Sequence, residues 1–311
     1  MRLVRSQSSV CRTALSVVTV GLLWGWLGIG QAMADTVAAT SDSSRLWATL
    51  MAEAKALNLP TRFLEQVPAE FVSFEFEDLH AFAAEYHPAE HRMVLARSLS
   101  LNAAGRTLRP LARLTHKELE TLYHELFHAY MDFIEQEAGL LPAPLSLMAF
   151  AREQQRCRYQ HVLITPVLQK KTVTEERFLS ETESWEALNE TWAVVGGWAG
   201  WTQLEVEKAG GREARSPSRS RQVSAWMSRL SQAEQNAVLS GYYEPEDPAE
   251  KVMARKRFLA PDFRLSAPEL LRLMTDVLGS STDMIRQADQ VLTRPGGAPP
   301  ARGACVATPV S

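Results

Sequence analysis

The chain has 311 residues, with 33 basic and 36 acidic side chains, and its formal charge at pH 7 is −3. This weak acidity gives no basis for nucleic-acid binding, which needs clustered positive charge. Apolar residues make up 46% of the sequence, which is enough for a hydrophobic core at this length. With only three cysteines in the whole chain, a metal ion is expected to be held by histidine and carboxylate.

The N-terminal 34 residues have the organisation of a secretory signal peptide. Arg2, Arg5 and Arg12 precede an apolar run from about residue 14 to residue 30, and an Ala-x-Ala site ends at Ala34. This pattern predicts cleavage after Ala34 and a secreted or periplasmic protein without stable membrane insertion. The alternative is an uncleaved membrane anchor, although about seventeen apolar residues are at the short end of a membrane span.

The rest of the chain is expected to form one α+β domain that is predominantly helical. The predicted segments are a polar leader (35–44), an α+β lobe (45–140), a helical lobe (141–293) and a disordered tail (294–311). Two of the cysteines, Cys157 and Cys305, lie beyond the signal peptide, and the sequence leaves open whether they form a disulfide.

A small sheet is predicted in the first lobe. Val72, Phe74 and Phe76 alternate with polar residues, which is typical of a half-buried strand. The segment Met93–Leu101 alternates in the same way and predicts a second strand before the next helix.

That helix carries the most informative motif of the chain, His-Glu-x-x-His at His124, Glu125 and His128. Residues four apart share one face of a helix, so both imidazoles can reach one metal ion. Thr115 and Glu118 have the spacing of a capping box at the helix start. The apolar positions recur at helical spacing and predict a largely buried face: Leu119, Leu122, Tyr123, Leu126, Phe127, Tyr130 and Ile134.

The run His-Glu-Leu-Phe-His-Ala-Tyr-Met-Asp-Phe, residues 124–133, resembles the active-site helix of zincin metallopeptidases. It is most similar to the gluzincin branch, typified by thermolysin, since the Gly and third His of the metzincin branch are absent. The resemblance implies a Zn²⁺ cofactor and a third ligand, a Glu, on a second helix downstream. It also implies that a sheet edge near this helix pairs with an extended substrate, for which Met93–Leu101 is the candidate; an ordinary sheet strand is the alternative.

The third ligand is expected on a second helix over residues 181–197, where Glu183, Glu186 and Glu190 share one face. Glu190 is favoured because the helix turns apolar there, and a buried carboxylate needs a positive charge or a metal ion as partner. Glu186 and His161 are the alternative third ligands.

The same segment resembles the third-ligand helix of gluzincins through the pair Asn189-Glu190 and the small residue that follows at 193. The chain departs from the thermolysin pattern at Val194, where that pattern has an Asp. Asp132 and Glu186 are the candidates for supporting the metal ligands in its place.

These residues predict an exported zinc metallopeptidase that acts on peptide or protein substrates. Glu125 is the expected general base for a zinc-activated water. A further donor for the oxyanion is sought among His161, Tyr242 and Tyr243. The alternatives are a zinc hydrolase of a non-peptide or cell-envelope amide, a catalytically inactive secreted binding protein, and a structural protein without metal.

Two other segments have expected structures. The run Trp192–Trp201 combines tryptophans with small residues, which favours close helix packing over a pocket lining. The Arg-rich, Gly- and Ser-containing segment Gly210–Arg221 predicts an exposed loop.

Overall fold

A computed structural model describes the following residues of the chain: 42–80, 82–102, 107–137, 142–166, 175–213, 219–241, 245–257, 259–261 and 263–293. The predicted signal peptide, nearly all of the predicted leader and the predicted tail lie outside these ranges, as do Tyr242, Tyr243 and Cys305. The described residues from Ser43 onwards belong to one compact unit.

Helices dominate the described residues, and the strands are few and short. The α-helices are α1 (42–56), α2 (His116–Glu137), α3 (Pro142–Gln154), α4 (Glu181–Glu213), α5 (Arg219–Gln235), α6 (Pro248–Arg257), α7 (Ala267–Asp276) and α8 (Thr282–Leu292). The β-strands are β1 (Ser73–Glu77), β2 (Ala84–His87), β3 (Arg92–Ala96), β4 (His161–Pro166), β5 (Glu175–Phe178), β6 (Ser240–Gly241), β7 (Leu259–Pro261) and β8 (Phe263–Arg264). The predicted fold class, α+β and predominantly helical, is confirmed.

The first sheet has the strand order β1-β3-β2, in which β1 runs parallel to β3 and β2 antiparallel. The predicted strand Met93–Leu101 is wrong at its C-terminal end, since β3 stops at Ala96 and Arg97–Leu99 forms a 3₁₀ turn. It is also wrong as the substrate edge, because β3 is hydrogen-bonded on both sides. The strand at the edge that contacts α2 is β2, which the sequence analysis missed.

Two further groups of short strands stand in the second half of the described chain. One sheet has the order β5-β4-β7, and a two-stranded pair joins β6 to β8. The expectation of an almost wholly helical second lobe omitted these strands, because each is too short for periodicity to separate from a loop.

Helix α2 lies at the centre of the core, as its apolar pattern predicts. Thr115 N donates to Glu118 Oε2 at 2.8 Å, and Glu118 N donates to Thr115 Oγ1 at 3.4 Å, which confirms the capping box. The predicted buried face is also confirmed, at Leu119, Leu122, Tyr123, Leu126, Phe127, Tyr130 and Ile134. The extensive burial of this face holds α2 in place. The two histidines of the helix remain partly accessible, with 15% and 17% of their side chains exposed.

The packing of α4 against α2 depends on glycines. A Cβ atom added at Gly197 would lie 2.5 Å from the backbone oxygen of Glu120, and one added at Gly200 would lie 2.7 Å from Cγ of Tyr123. The two helix backbones therefore approach more closely than any larger residue permits. The interpretation of the Trp192–Trp201 run as a close-packing segment is confirmed at these positions.

We expect Gly197→Ala to destabilise the protein, while Gly196→Ala leaves its stability nearly unchanged. Both substitutions gain about 1 kcal/mol in helix propensity. At Gly196 the nearest atom to a new Cβ is Cβ of Phe127 at 3.2 Å, whereas at Gly197 it is a backbone oxygen at 2.5 Å. Overpacking against a backbone costs about 1–3 kcal/mol. Urea unfolding measures the difference, and equal midpoints for the two variants would contradict this account of the interface.

The predicted loop Gly210–Arg221 is wrong at both ends. Helix α4 continues to Glu213, and α5 begins at Arg219, so that only residues 214–218 fall outside the described structure. The glycines at 210 and 211 favour a loop in the sequence, but glycine lowers helix propensity by only about 1 kcal/mol, and a helix tolerates that cost.

Among the described residues no helix combines the length and the apolar character that a membrane span requires.

Candidate metal centre

Three side chains predicted as metal ligands converge between α2 and α4. His124 Nε2 lies 3.0 Å from Glu190 Oε2 and 3.1 Å from His128 Nε2. His128 Nε2 lies 3.4 Å from Glu190 Oε1. The ligand atoms of the three residues all lie within 4.8 Å of one another, and the group could hold a metal ion.

The separations match the donor geometry of zinc. Ligand atoms about 2.0–2.1 Å from a tetrahedral zinc ion are separated by about 3.3 Å. The three short contacts, at 3.0, 3.1 and 3.4 Å, fall close to that value. Two imidazole nitrogens that face each other also need a shared cationic partner or a proton between them, so the residues present fit the ion.

Each helix contributes its ligands through its own periodicity. His124 and His128 are one turn apart on α2, and their rings lie with centroids 4.8 Å apart. Glu190 lies in the third turn of α4, which packs against α2. Its side chain is 23% exposed, so the carboxylate is largely removed from water where it meets the imidazoles.

The alternative third ligands are not part of the group. Glu186, one turn before Glu190, is exposed on α4 and does not belong to the cluster of ligand atoms. His161 lies on β4, where it packs on Phe178 with ring centroids 4.9 Å apart and faces Glu176 at 3.8 Å. Of the three candidate side chains, Glu190 is therefore the one that the structure brings together with His124 and His128, and its role as a zinc ligand stays a prediction.

The carboxylate of Glu190 is held in its charged form. Burial alone raises the pKa of Glu190, but the charges and hydrogen bonds of His128 and His124 outweigh it and bring that pKa well below its ordinary value. A carboxylate that stays ionised beside two imidazoles is the donor set that a hard or borderline divalent cation requires.

Glu125 lies next to the ligands in a different environment. Burial raises the pKa of Glu125 to about 7; the charge of Glu190 adds to the rise, while His124 and a hydrogen bond from Tyr86 oppose it. In that hydrogen bond, Tyr86 N of strand β2 donates to Glu125 Oε2 at 2.9 Å. The bond uses Oε2, so that Oε1 is the oxygen left to accept a proton from a reacting group.

Asp132, predicted to support the ligands, has other partners. Its Oδ2 accepts from Tyr86 OH at 2.6 Å and lies 2.8 Å from His91 Nδ1, while its Oδ1 accepts from Gln136 Nε2 at 3.0 Å. None of these bonds joins Asp132 to His124 or His128. Neither the contact of Tyr86 with Asp132 nor that of His91 was predicted from the sequence, where the alternation of Ala84 and Tyr86 with polar neighbours was the signal for β2.

The other acid on the predicted face of α4, Glu183, serves the fold. Glu183 Oε2 accepts from Ser180 N at 3.0 Å, and Glu183 N donates to Ser180 Oγ at 3.0 Å. This pair is a capping box at the start of α4, which sets where the helix begins and so where Glu190 falls. The candidate oxyanion donors Tyr242 and Tyr243 lie outside the described residues.

Two features of the described chain lie away from this centre. A cavity of about 1050 Å³ is lined by the segment 58–65 after α1 and by residues of α4, α5 and the α7–α8 region, and none of the three ligand residues lines it. Cys157, in a π-helical turn after α3, is disulfide-bonded. The other two cysteines, Cys11 and Cys305, lie outside the described residues, so the pairing that the sequence left open is not assigned.

Comparisons of the chain with protein-family models, with curated proteins and with solved structures gave no significant match.

Proposed function

We propose that this chain is an exported zinc-dependent metallopeptidase that hydrolyses peptide or protein substrates. The observation that carries the proposal is the convergence of His124, His128 and Glu190 on one point, with Glu125 beside them. The choice of zinc follows from two imidazoles and one carboxylate with near-tetrahedral spacing. The resemblance of residues 124–133 to the zincin active-site helix supports the same reading.

Each residue of the site has a separate role in the proposed hydrolysis. When bound, zinc supplies Lewis acidity, which polarises a carbonyl and makes water nucleophilic near neutral pH. His124, His128 and Glu190 would hold the ion. Glu125 takes the proton of the attacking water on Oε1 and passes it to the leaving amine. Its burial favours both transfers, because burial raises the pKa of the carboxyl above its ordinary value, and a base whose pKa is nearer the working pH accepts and returns a proton more readily.

The substrate backbone is assigned to strand β2. An extended peptide adds to the edge of a sheet through main-chain hydrogen bonds. Among the described strands β2 is the edge strand that contacts α2, and its Tyr86 N–H already bonds Glu125. A peptide aligned along β2 would place its backbone carbonyls next to the general base.

Metal analysis and an activity assay test the proposal together. We expect the purified exported protein to contain about one zinc ion per chain, consistent with a single three-residue site. It should cleave members of a peptide library, lose that activity to a chelator and regain it with added zinc. Absence of stoichiometric metal would overturn the proposal at its base. Zinc without peptide cleavage would favour a non-peptide amide substrate or an inactive binding protein.

A further inference from the structure

The segment from β2 to β3 is attached to α2 by two hydrogen bonds, and one residue of the segment donates both. Tyr86 N donates to Glu125 Oε2 at 2.9 Å, and the hydroxyl of the same tyrosine donates to Asp132 Oδ2 at 2.6 Å. Glu125 and Asp132 are seven residues apart, which is two turns of α2. Tyr86 therefore spans the helix face on which His128 also lies.

Asp132 is held in turn by the far end of the same segment. His91, which follows the turn after β2, places Nδ1 2.8 Å from Asp132 Oδ2. Its ring packs on Phe71 with centroids 4.4 Å apart. The backbone of His91 is left-handed, with φ at 47°, a conformation that costs a non-glycine residue about 1 kcal/mol or more. The contacts of His91 with Asp132 and Phe71 offset that strain.

These bonds are shielded from solvent, so they constrain geometry effectively. Tyr86 is 8% exposed, and the side chain of Asp132 is 15% exposed. A charge-assisted hydrogen bond in such a setting is short and about twice as strong as a neutral one. The 2.6 Å distance from Tyr86 OH to Asp132 has this character.

We propose that Tyr86 and Asp132 form a positioning pair that aims the carboxylate of Glu125 at the reacting water. The Asp132 carboxylate fixes the position of the Tyr86 ring, and the ring in turn fixes the position of β2 against α2. The Tyr86 amide then holds Glu125 Oε2. This inference rests on the proposed peptidase function. A displacement of about 1 Å at a reacting group lowers the rate as much as about a hundredfold.

Selective labelling makes the pair observable without an activity assay. The chain has six tyrosines, so ¹⁵N-tyrosine labelling gives a sparse amide spectrum in which Tyr86 is the resonance that Tyr86→Phe removes. We expect Glu125→Gln to move this resonance, because the amide then donates to a neutral group. Asp132→Asn should move it upfield, because the hydroxyl anchor is weakened. A Tyr86 resonance that stays at its wild-type position in Asp132→Asn would overturn the positioning pair.

Kinetics complete the test, with a matched control. Tyr86→Phe and Asp132→Asn should each lower kcat by about tenfold or more and leave the zinc content unchanged. The control is Tyr159→Phe, which deletes another buried hydroxyl-to-carboxylate bond, from Tyr159 OH to Glu269 at 2.8 Å, within the hydrophobic core. It should lower stability and leave kcat unchanged.

The outcomes separate this inference from the function on which it rests. If the Tyr86 resonance responds to Asp132→Asn while the wild-type protein cleaves no peptide, the peptidase proposal fails and the structural coupling stands. If the wild-type protein cleaves peptides and Asp132→Asn keeps its full kcat, the positioning role is overturned. A tenfold loss in Tyr159→Phe as well would also overturn it, because the effect would then follow from lost stability.

Discussion

Glu125→Gln is expected to keep its zinc and to lose between a hundredfold and ten-thousandfold of the hydrolytic rate, the range for removal of a general base. Glutamine retains an oxygen that can accept the Tyr86 N–H bond, so the side chain keeps its place. It cannot take a proton from water near neutral pH, so the attack loses its base. Metal content by mass spectrometry and kcat on a cleaved peptide measure the two effects separately.

The matched control is Glu120→Gln on the same helix. Glu120 is partly exposed, faces His116 at 3.5 Å and is not a member of the ligand group. Like Glu125→Gln, the Glu120→Gln substitution removes one carboxylate charge from α2. It should leave kcat near the wild-type value. A Glu125→Gln protein with wild-type activity would remove Glu125 from the mechanism.

Glu190→Gln is expected to abolish the stabilisation of the protein by zinc. A ligand present at a thousandfold excess over its Kd stabilises the folded state by about 4 kcal/mol. For a domain of this size that corresponds to a rise in Tm of about 10 °C. Without the negative charge of Glu190 the two histidines remain, and a neutral amide oxygen replaces the carboxylate, so the rise should disappear. Thermal unfolding with and without zinc measures it and requires no substrate.

Glu186→Gln provides the comparison for this experiment. It lies one turn earlier on α4, outside the ligand cluster, and should keep the full response to zinc. The reverse pattern, in which Glu186→Gln loses the response and Glu190→Gln keeps it, would show that the third ligand is misassigned. Equal responses in both variants and the wild type would mean that neither Glu190 nor Glu186 binds the ion.

Local features of the chain were predictable because their causes are local. The period of 3.6 residues places His124 and His128 on one face of α2, and the capping box at Thr115 sets the start of that helix. The choice of Glu190 followed from the apolar residues around it, since a buried carboxylate needs a cationic partner. Each of these features depends only on residues a few positions apart in the sequence.

Strand β2 escaped prediction for an equally physical reason. Four residues give only two inward positions, Ala84 and Tyr86, and such a short alternation is common in loops. What makes the segment a strand is its antiparallel pairing with β3, a partner whose position the sequence does not state. The error about Met93–Leu101 has the same origin, because alternation identifies a strand and does not say whether it is central or at an edge.

Short-range sequence patterns are sufficient to predict the helix with its two histidines, the acid suited to join them and the predominantly helical class. That Glu190, 62 residues after His128, meets both imidazoles is a consequence of the tertiary fold. That meeting depends on the close approach of α4 to α2 at Gly197 and Gly200, which is a long-range packing event. The link from Asp132 through Tyr86 to Glu125 belongs to the same level, because hydrogen bonds across elements exist only after the chain has folded.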